Sequence, residues 1–257
     1  MTRLWLLGAS LLLLGCGKKG TPNNAAENPT PVPTGFIDLS LLDDEDDDDL
    51  FGAELLSATG QCGDLIKLEP SAMMGGLTDG EIRCLEDALR DSERQTVKDK
   101  VSRVLMHDSW AKGDKHRWES IVRRHLEQID QSDPDLCFSF ATYTAKRGSE
   151  YFGETMRWID VALENRSEWE GDYHVKRVYT LYKLKAKTAQ SKWAWLENEY
   201  LSGATAELNE QRQVARNEAK TYAREWLDYA VSANQDITLA RDLCESAAGN
   251  KEFCLTE

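Results

Sequence analysis

Residues 173–201, YHVKRVYTLYKLKAKTAQSKWAWLENEYL, decide the fold. Val175, Val178, Tyr179, Tyr182, Ala186, Ala189, Trp193, Leu196 and Tyr200 recur at helical spacing, with Lys, Arg, Glu and Asn between them. At about 100° per residue these positions share one face of a helix. Gly203 breaks the run. Residues 205–233 repeat the pattern with Leu208, Ala215, Ala219, Tyr222, Ala223, Trp226, Leu227 and Ala230. Two long amphipathic helices joined by so short a break predict an antiparallel hairpin.

The same signals extend toward the N-terminus, where Pro134 is the one proline after Pro70. Thr78-Asp79-Gly80-Glu81 reads as a capping box opening a helix with Ile82, Leu85 and Leu89 on one face. Ser92-Glu93-Arg94-Gln95 reads as a second box, for a helix carrying Val97, Val101, Val104 and Leu105. Gly113 stops it, and Asp114 caps a helix with Trp118, Ile121, Val122, His125, Leu126 and Ile129. Asp133-Pro134 is an N-cap followed by proline at the first helical position, and that helix is expected to reach Gly148. Ser149 is expected to cap the next, with Phe152, Trp158, Ile159 and Leu163. A last helix over 237–247 stops at Gly249. The expected fold is all-α: antiparallel helical hairpins in a repeat-like stack over residues 78–257. Residues 51–77 are expected to be an irregular segment packed on that domain.

Ahead of the domain the composition changes. Residues 17–50 hold Pro22, Pro29, Pro31 and Pro33, then the acidic run Asp43–Asp49. Such a stretch buries too little apolar surface to offset the entropy of ordering and reads as a disordered linker. Fully extended, Cys16 to Leu50 spans about 115 Å; as a coil it averages about 30 Å. Gly35-Phe36-Ile37-Asp38-Leu39-Ser40-Leu41-Leu42 is unexpectedly apolar for a linker. It packs back on the domain or serves as a docking motif, which makes Phe36, Ile37 and Leu41 candidate partner contacts.

The first sixteen residues carry Arg3, an apolar stretch from Leu4 to Leu14, and Leu13-Leu14-Gly15-Cys16. The stretch is shorter than the roughly 20 residues of a membrane span and has the length of a secretory h-region. The segment resembles the lipobox signal of bacterial lipoproteins. The resemblance implies cleavage between Gly15 and Cys16 and lipidation of the Cys16 thiol and amine. Residues 1–15 are then the signal peptide and 16–50 a lipidated acidic tether. It also implies a cell-envelope protein facing the periplasm or the cell surface. The absence of Asp after Cys16 favours the outer membrane. A second resemblance is internal. Trp158-Ile159-Asp160-Val161-Ala162-Leu163 echoes Trp226-Leu227-Asp228-Tyr229-Ala230-Val231 at twice the 34-residue period of tetratricopeptide repeats. Ala223, Leu227 and Ala230 match that family's second helix. The family's first-helix Gly and Tyr are missing, and helices near 29 residues are too long for it.

The formal charge of the 257-residue chain is −14, which argues against nucleic acid as a partner. Residues 1–50 hold nine acids and three bases, so the remainder carries −8. Five cysteines remain besides Cys16. In an oxidising compartment two pairs among five allow 15 arrangements. Cys244–Cys254 and Cys62–Cys84 are the preferred ones, because each staples a tail to the neighbouring helix. Cys137 is then a buried free thiol.

No catalytic constellation emerges. There is no zinc helix, nucleophile turn or phosphate loop, and no cofactor or metal is implied. His125 lies on an apolar stripe and reads as a core histidine. Trp169, in a loop, and Trp195, off the main stripe, are candidate partner contacts if exposed. The expected function is a non-catalytic interaction or scaffold module anchored to the membrane by lipid, with another envelope protein as partner. The alternative is a small-molecule carrier with a pocket lined by Tyr179, Tyr182, Trp193, Tyr222 and Trp226. An all-helical enzyme is a third reading.

Overall fold

The computed structural model describes Cys62 and residues 65–255; the signal segment, Cys16, the tether, Phe36, Ile37 and Leu41 lie outside them. The described chain is all-helical, with α1 (Leu65–Met73), α2 (Asp79–Asp91), α3 (Gln95–Ala111), α4 (Lys115–Gln128) and α5 (Pro134–Thr144) followed by α6 (Phe152–Glu164), α7 (Gly171–Ser202), α8 (Ala206–Ser232) and α9 (Thr238–Ala248). No strand occurs among the described residues. From α2 onward each helix packs on the next in sequence, and α1 skips one to lie on α3.

Local chemistry sets most boundaries. The Thr78 box forms as its sequence implies: the Thr78 hydroxyl accepts from the Glu81 N–H, and the Glu81 carboxylate takes the Thr78 N–H at 2.7 Å. Those bonds hold the Glu81 carboxyl below its ordinary pKa. Asp114 and Asp133 cap α4 and α5 through the N–H groups of Arg117 and Leu136. Gly113 and Gly249 sit at φ +74°, where a Cβ is strained, and so end α3 and α9.

Four expectations are corrected. Ser92 does not cap α3. It ends α2 and accepts the Arg94 N–H instead, so α3 starts at Gln95 with no side-chain cap. The helix from Pro134 stops at Thr144, not Gly148. Ser149 opens a single 3₁₀ turn, and α6 begins at Phe152. Part of the segment expected to be irregular is α1. Pro70 lies inside it and has no N–H for the carbonyl four residues back, a loss that disfavours a helix. Tertiary packing overrides that loss. Leu65, Leu68 and Ala72 are buried in one core with Leu85, Leu89, Val97, Val101 and Leu105. Each such leucine is worth about 1.5–3 kcal/mol on burial.

The middle of the molecule is aromatic. Trp118 meets Trp110, Phe140 and Tyr143 edge-on, and Phe140 also abuts Trp158. A charged network overlies it. Glu119 pairs with Arg123 at 3.0 Å and accepts from the hydroxyls of Tyr143 and Tyr151; Arg123 also pairs with Glu154 on α6.

The C-terminal half is the hairpin of α7 and α8. Lys185 faces Glu225, Lys192 faces Glu218 and Glu197 faces Arg212, a descending series that fixes the antiparallel register. Ala186, Ala189, Ala219, Ala223 and Ala230 are fully or almost fully buried between them. Small side chains let the backbones approach closely, and Trp226 and Leu227 share this core with Ala240 and Cys244 of α9.

Candidate functional site

Three helices build a cleft of about 630 Å³ in the N-terminal half. From α2 come Leu89, Arg90 and Glu86, from α3 Lys98 and Leu105, and from α4 Arg117, Ile121 and Arg124. The α4 residues Arg117, Ile121, Arg124 and Gln128 fall at helical spacing, so they form a second stripe beside the core stripe of Trp118, Val122 and Leu126. The floor is apolar, made by the buried Leu89 and Leu105 with Ile121 packed against the core.

The rim is basic. Four of its side chains carry positive charge against the single carboxylate of Glu86. Arg117 is paired with Glu86 at 2.9 Å, and Arg90 with Asp87 and Asp91. Lys98 and Arg124 have no carboxylate partner among the described residues. An acidic domain therefore reverses its sign locally, over an apolar floor. Such a surface attracts an anion, and the side chains it presents are mainly polar.

The residues singled out from the sequence fare differently. Cys62–Cys84 and Cys244–Cys254 are disulfides, with Cα atoms 5.3 and 6.0 Å apart. Cys137 is buried and free, and burial pushes its thiol pKa well up, so it is no ready nucleophile. Trp195 is 42% exposed, but Trp169 is only 5% exposed, so the exposure required of a partner contact is met at the first and not at the second. The Trp169 loop folds inward, its indole N–H donating to Asp135 at 3.1 Å and its ring edge-on to Phe138. Burial raises the Asp135 pKa even though Tyr173 also donates to it. The aromatic residues of α7 and α8 pack on one another: Tyr179 meets Trp226 edge-on, Tyr182 stacks on Tyr229, and Trp226 is fully buried. Those rings form core, and the cleft lies on other helices. Gly15, Cys16, Phe36, Ile37 and Leu41 lie outside the described residues.

His125 is fully buried, as its stripe implied, but not in an apolar setting. Ser102 Oγ lies 2.7 Å from its Nδ1, and Asp99 Oδ1 3.5 Å from its Nε2. Burial, then the Arg103 guanidinium, hold its pKa below the ordinary value. Serine, histidine and aspartate in contact suggest acyl transfer, but Ser102 is 1% exposed and its hydroxyl reaches the Asp99 carbonyl at 2.7 Å. A nucleophile must meet its substrate, and this one is sealed in the core.

Comparison with known proteins adds no template: no family model, curated protein or solved structure matches the chain. Among the described residues no helix is long and apolar enough to cross a membrane.

Proposed function

We propose that the chain is a lipid-anchored lipoprotein of the bacterial envelope whose helical domain is a non-catalytic binding module, with the basic cleft as its contact face. The observation that carries the reading is the reversal of charge. Lys98 and Arg124 stand without carboxylate partners beside Leu89, Leu105 and Ile121, in a region of the chain whose net charge is −8. The partner is an acidic segment of another envelope protein. The finer architecture is a repeat-like stack of hairpins, distantly akin to tetratricopeptide arrays. Sequential helix packing and the Trp158 and Trp226 echo support it; the 32 residues of α7 exceed that repeat's usual helix. The lipid anchor rests on Gly15-Cys16 and the apolar run before it.

Crosslinking in intact membranes, followed by recovery of the chain and mass spectrometry, tests the binding reading. A reproducible acidic envelope partner, lost in Lys98→Glu/Arg124→Glu and weakened by salt, supports it. Recovery unchanged by that double variant refutes the cleft as the contact face. Cys16→Ala should abolish lipidation and leave the precursor uncleaved at this site, and an unchanged mature mass refutes the anchor. A second reading, a carrier of small anionic ligands, is favoured by the cleft volume, which lies within the usual range of small-molecule pockets. A thermal shift with an anionic metabolite, absent in the double variant, selects it.

A further inference from the structure

A second cluster lies at the end of α4 and the turn into α5. A nitrogen of His125 and one oxygen each from Asp130 and Asp133 lie within 4.8 Å of one another. Acidic clusters are common on protein surfaces and mean little alone. The histidine makes this one different. It is fully buried, and its Nε2 has no hydrogen-bond partner.

The proton count shows why that matters. The Ser102 hydroxyl has one hydrogen, and it points to the Asp99 carbonyl at 2.7 Å. Ser102 Oγ can then meet His125 Nδ1 at 2.7 Å only as an acceptor. So Nδ1 carries the hydrogen, and in the neutral ring Nε2 presents a bare lone pair. That lone pair faces Asp99 Oδ1 at 3.5 Å. A buried ring nitrogen left with a bare lone pair lacks a partner, and with Asp130 and Asp133 close to the ring a cation would supply one.

We propose that His125 Nε2, Asp130 and Asp133 bind a divalent transition-metal ion of the Zn²⁺ or Mn²⁺ kind. One imidazole with two carboxylates suits these ions better than Ca²⁺, which prefers oxygen alone, or Cu⁺, which prefers sulfur. The supporting bonds are those that metal ligands usually have. Nδ1–H is oriented by Ser102. The Ser132 N–H and hydroxyl both donate to Asp130 at 2.9 Å. Asp133 takes the Leu136 N–H at 2.8 Å on one oxygen and Arg103 at 2.8 Å on the other, leaving lone pairs for an ion. Arg103 also binds Asp99 at 2.9 Å, so it sits beside the site as a fixed positive charge. Counting it with Asp99, Asp130 and Asp133 leaves a formal charge of −2, which one divalent ion neutralises. Asp130 is half-buried and gives the ion a way in.

The test is calorimetric titration of the full, chelator-stripped chain with Zn²⁺ alone and Mn²⁺ alone, with melting curves alongside. The expected result is saturation near one equivalent and a melting temperature that climbs with added metal. Asp130→Asn, at a half-buried turn position, should keep the fold and bind at least about tenfold more weakly. His125→Gln should bind as weakly, and with Co²⁺ loaded in place of Zn²⁺ the visible d–d bands should shift and change intensity relative to the unaltered chain. A variant with Asp43–Asp49 replaced by Asn should bind as the unaltered chain does. The proposal is overturned by any of three results: no saturable binding, Asp130→Asn binding unchanged, or binding lost with the acidic run.

Discussion

The two ends of this domain solve the packing problem in opposite ways. The C-terminal hairpin is mostly apolar inside: alanines line its seam and Trp226 and Leu227 are fully buried in an apolar cluster, with Arg177 buried toward one end of α7. The N-terminal helices bury chemistry. Asp108 is fully buried between the Leu77 N–H and the Lys112 ammonium, and Arg103 links Asp99 to Asp133. Apolar seams stabilise and nothing more. Buried ionic groups bring a desolvation penalty that their partners only partly offset, so they contribute more to specifying an arrangement than to stability. The basic cleft and the His125 cluster both lie in the half that carries such groups.

Breaking the mostly apolar half should have the largest effect. Trp226→Ala removes a fully buried ring and should cost about 3–5 kcal/mol in urea unfolding. A loss below about 1 kcal/mol would mean the seam does not depend on it. In the charged half, Arg103→Gln leaves the mostly buried Asp133 carboxylate with its capping bond alone. The expected loss is about 2–3 kcal/mol, below that for a fully buried pair because Arg103 keeps 17% exposure. Replacing both residues, as Arg103→Met with Asp133→Asn, should recover part of it; no recovery would show that the ion pair itself stabilises.

Smaller effects sharpen the contrast. Thr78→Ala removes the cap of α2 and should cost about 1 kcal/mol, read from the thermal midpoint with its entropy of unfolding. The smallest effect is in pH. Burial, then Arg103, lower the His107 pKa. A base whose folded pKa is depressed gives stability that is full above its unfolded value and lost as pH falls toward the folded one. The domain should therefore weaken as pH drops below about 6.5, and His107→Gln should flatten that slope. An unchanged slope would assign the loss to other groups.

The sequence made the helices legible wherever apolar spacing, caps and glycines agreed, as at Thr78, Asp114, Gly203 and Gly249. It failed where tertiary context outweighed local preference. Ser92 had the form of a cap but served the helix before it, and Pro70 hid α1, which the Leu85 and Val101 core holds in place. Trp169, in a loop, is a candidate contact only if exposed; its partner Asp135 is 34 residues away, and no local signal announces the bond that folds it inward. The cleft was half readable, in the Arg117, Ile121, Arg124 and Gln128 stripe, but its other wall comes from α2 and α3. The metal cluster left a faint trace, a histidine on an apolar stripe followed by two aspartates across a turn. The disulfides followed from reasoning that each tail needs an anchor, and both formed.

One of those disulfides also determines how the domain carries mechanical load. Tension applied to the chain from the N-terminal side of Cys62 meets a fork there. The covalent link to Cys84 is the shorter path, so force passes through sulfur into the middle of α2. Helix α1 lies inside the closed loop between the two cysteines and stays slack. A pull that would otherwise peel α1 from the core turn by turn is delivered instead to a helix already wedged against α3. The staple works as a strain relief, like the knot that keeps a tug on a cable from reaching its solder joint.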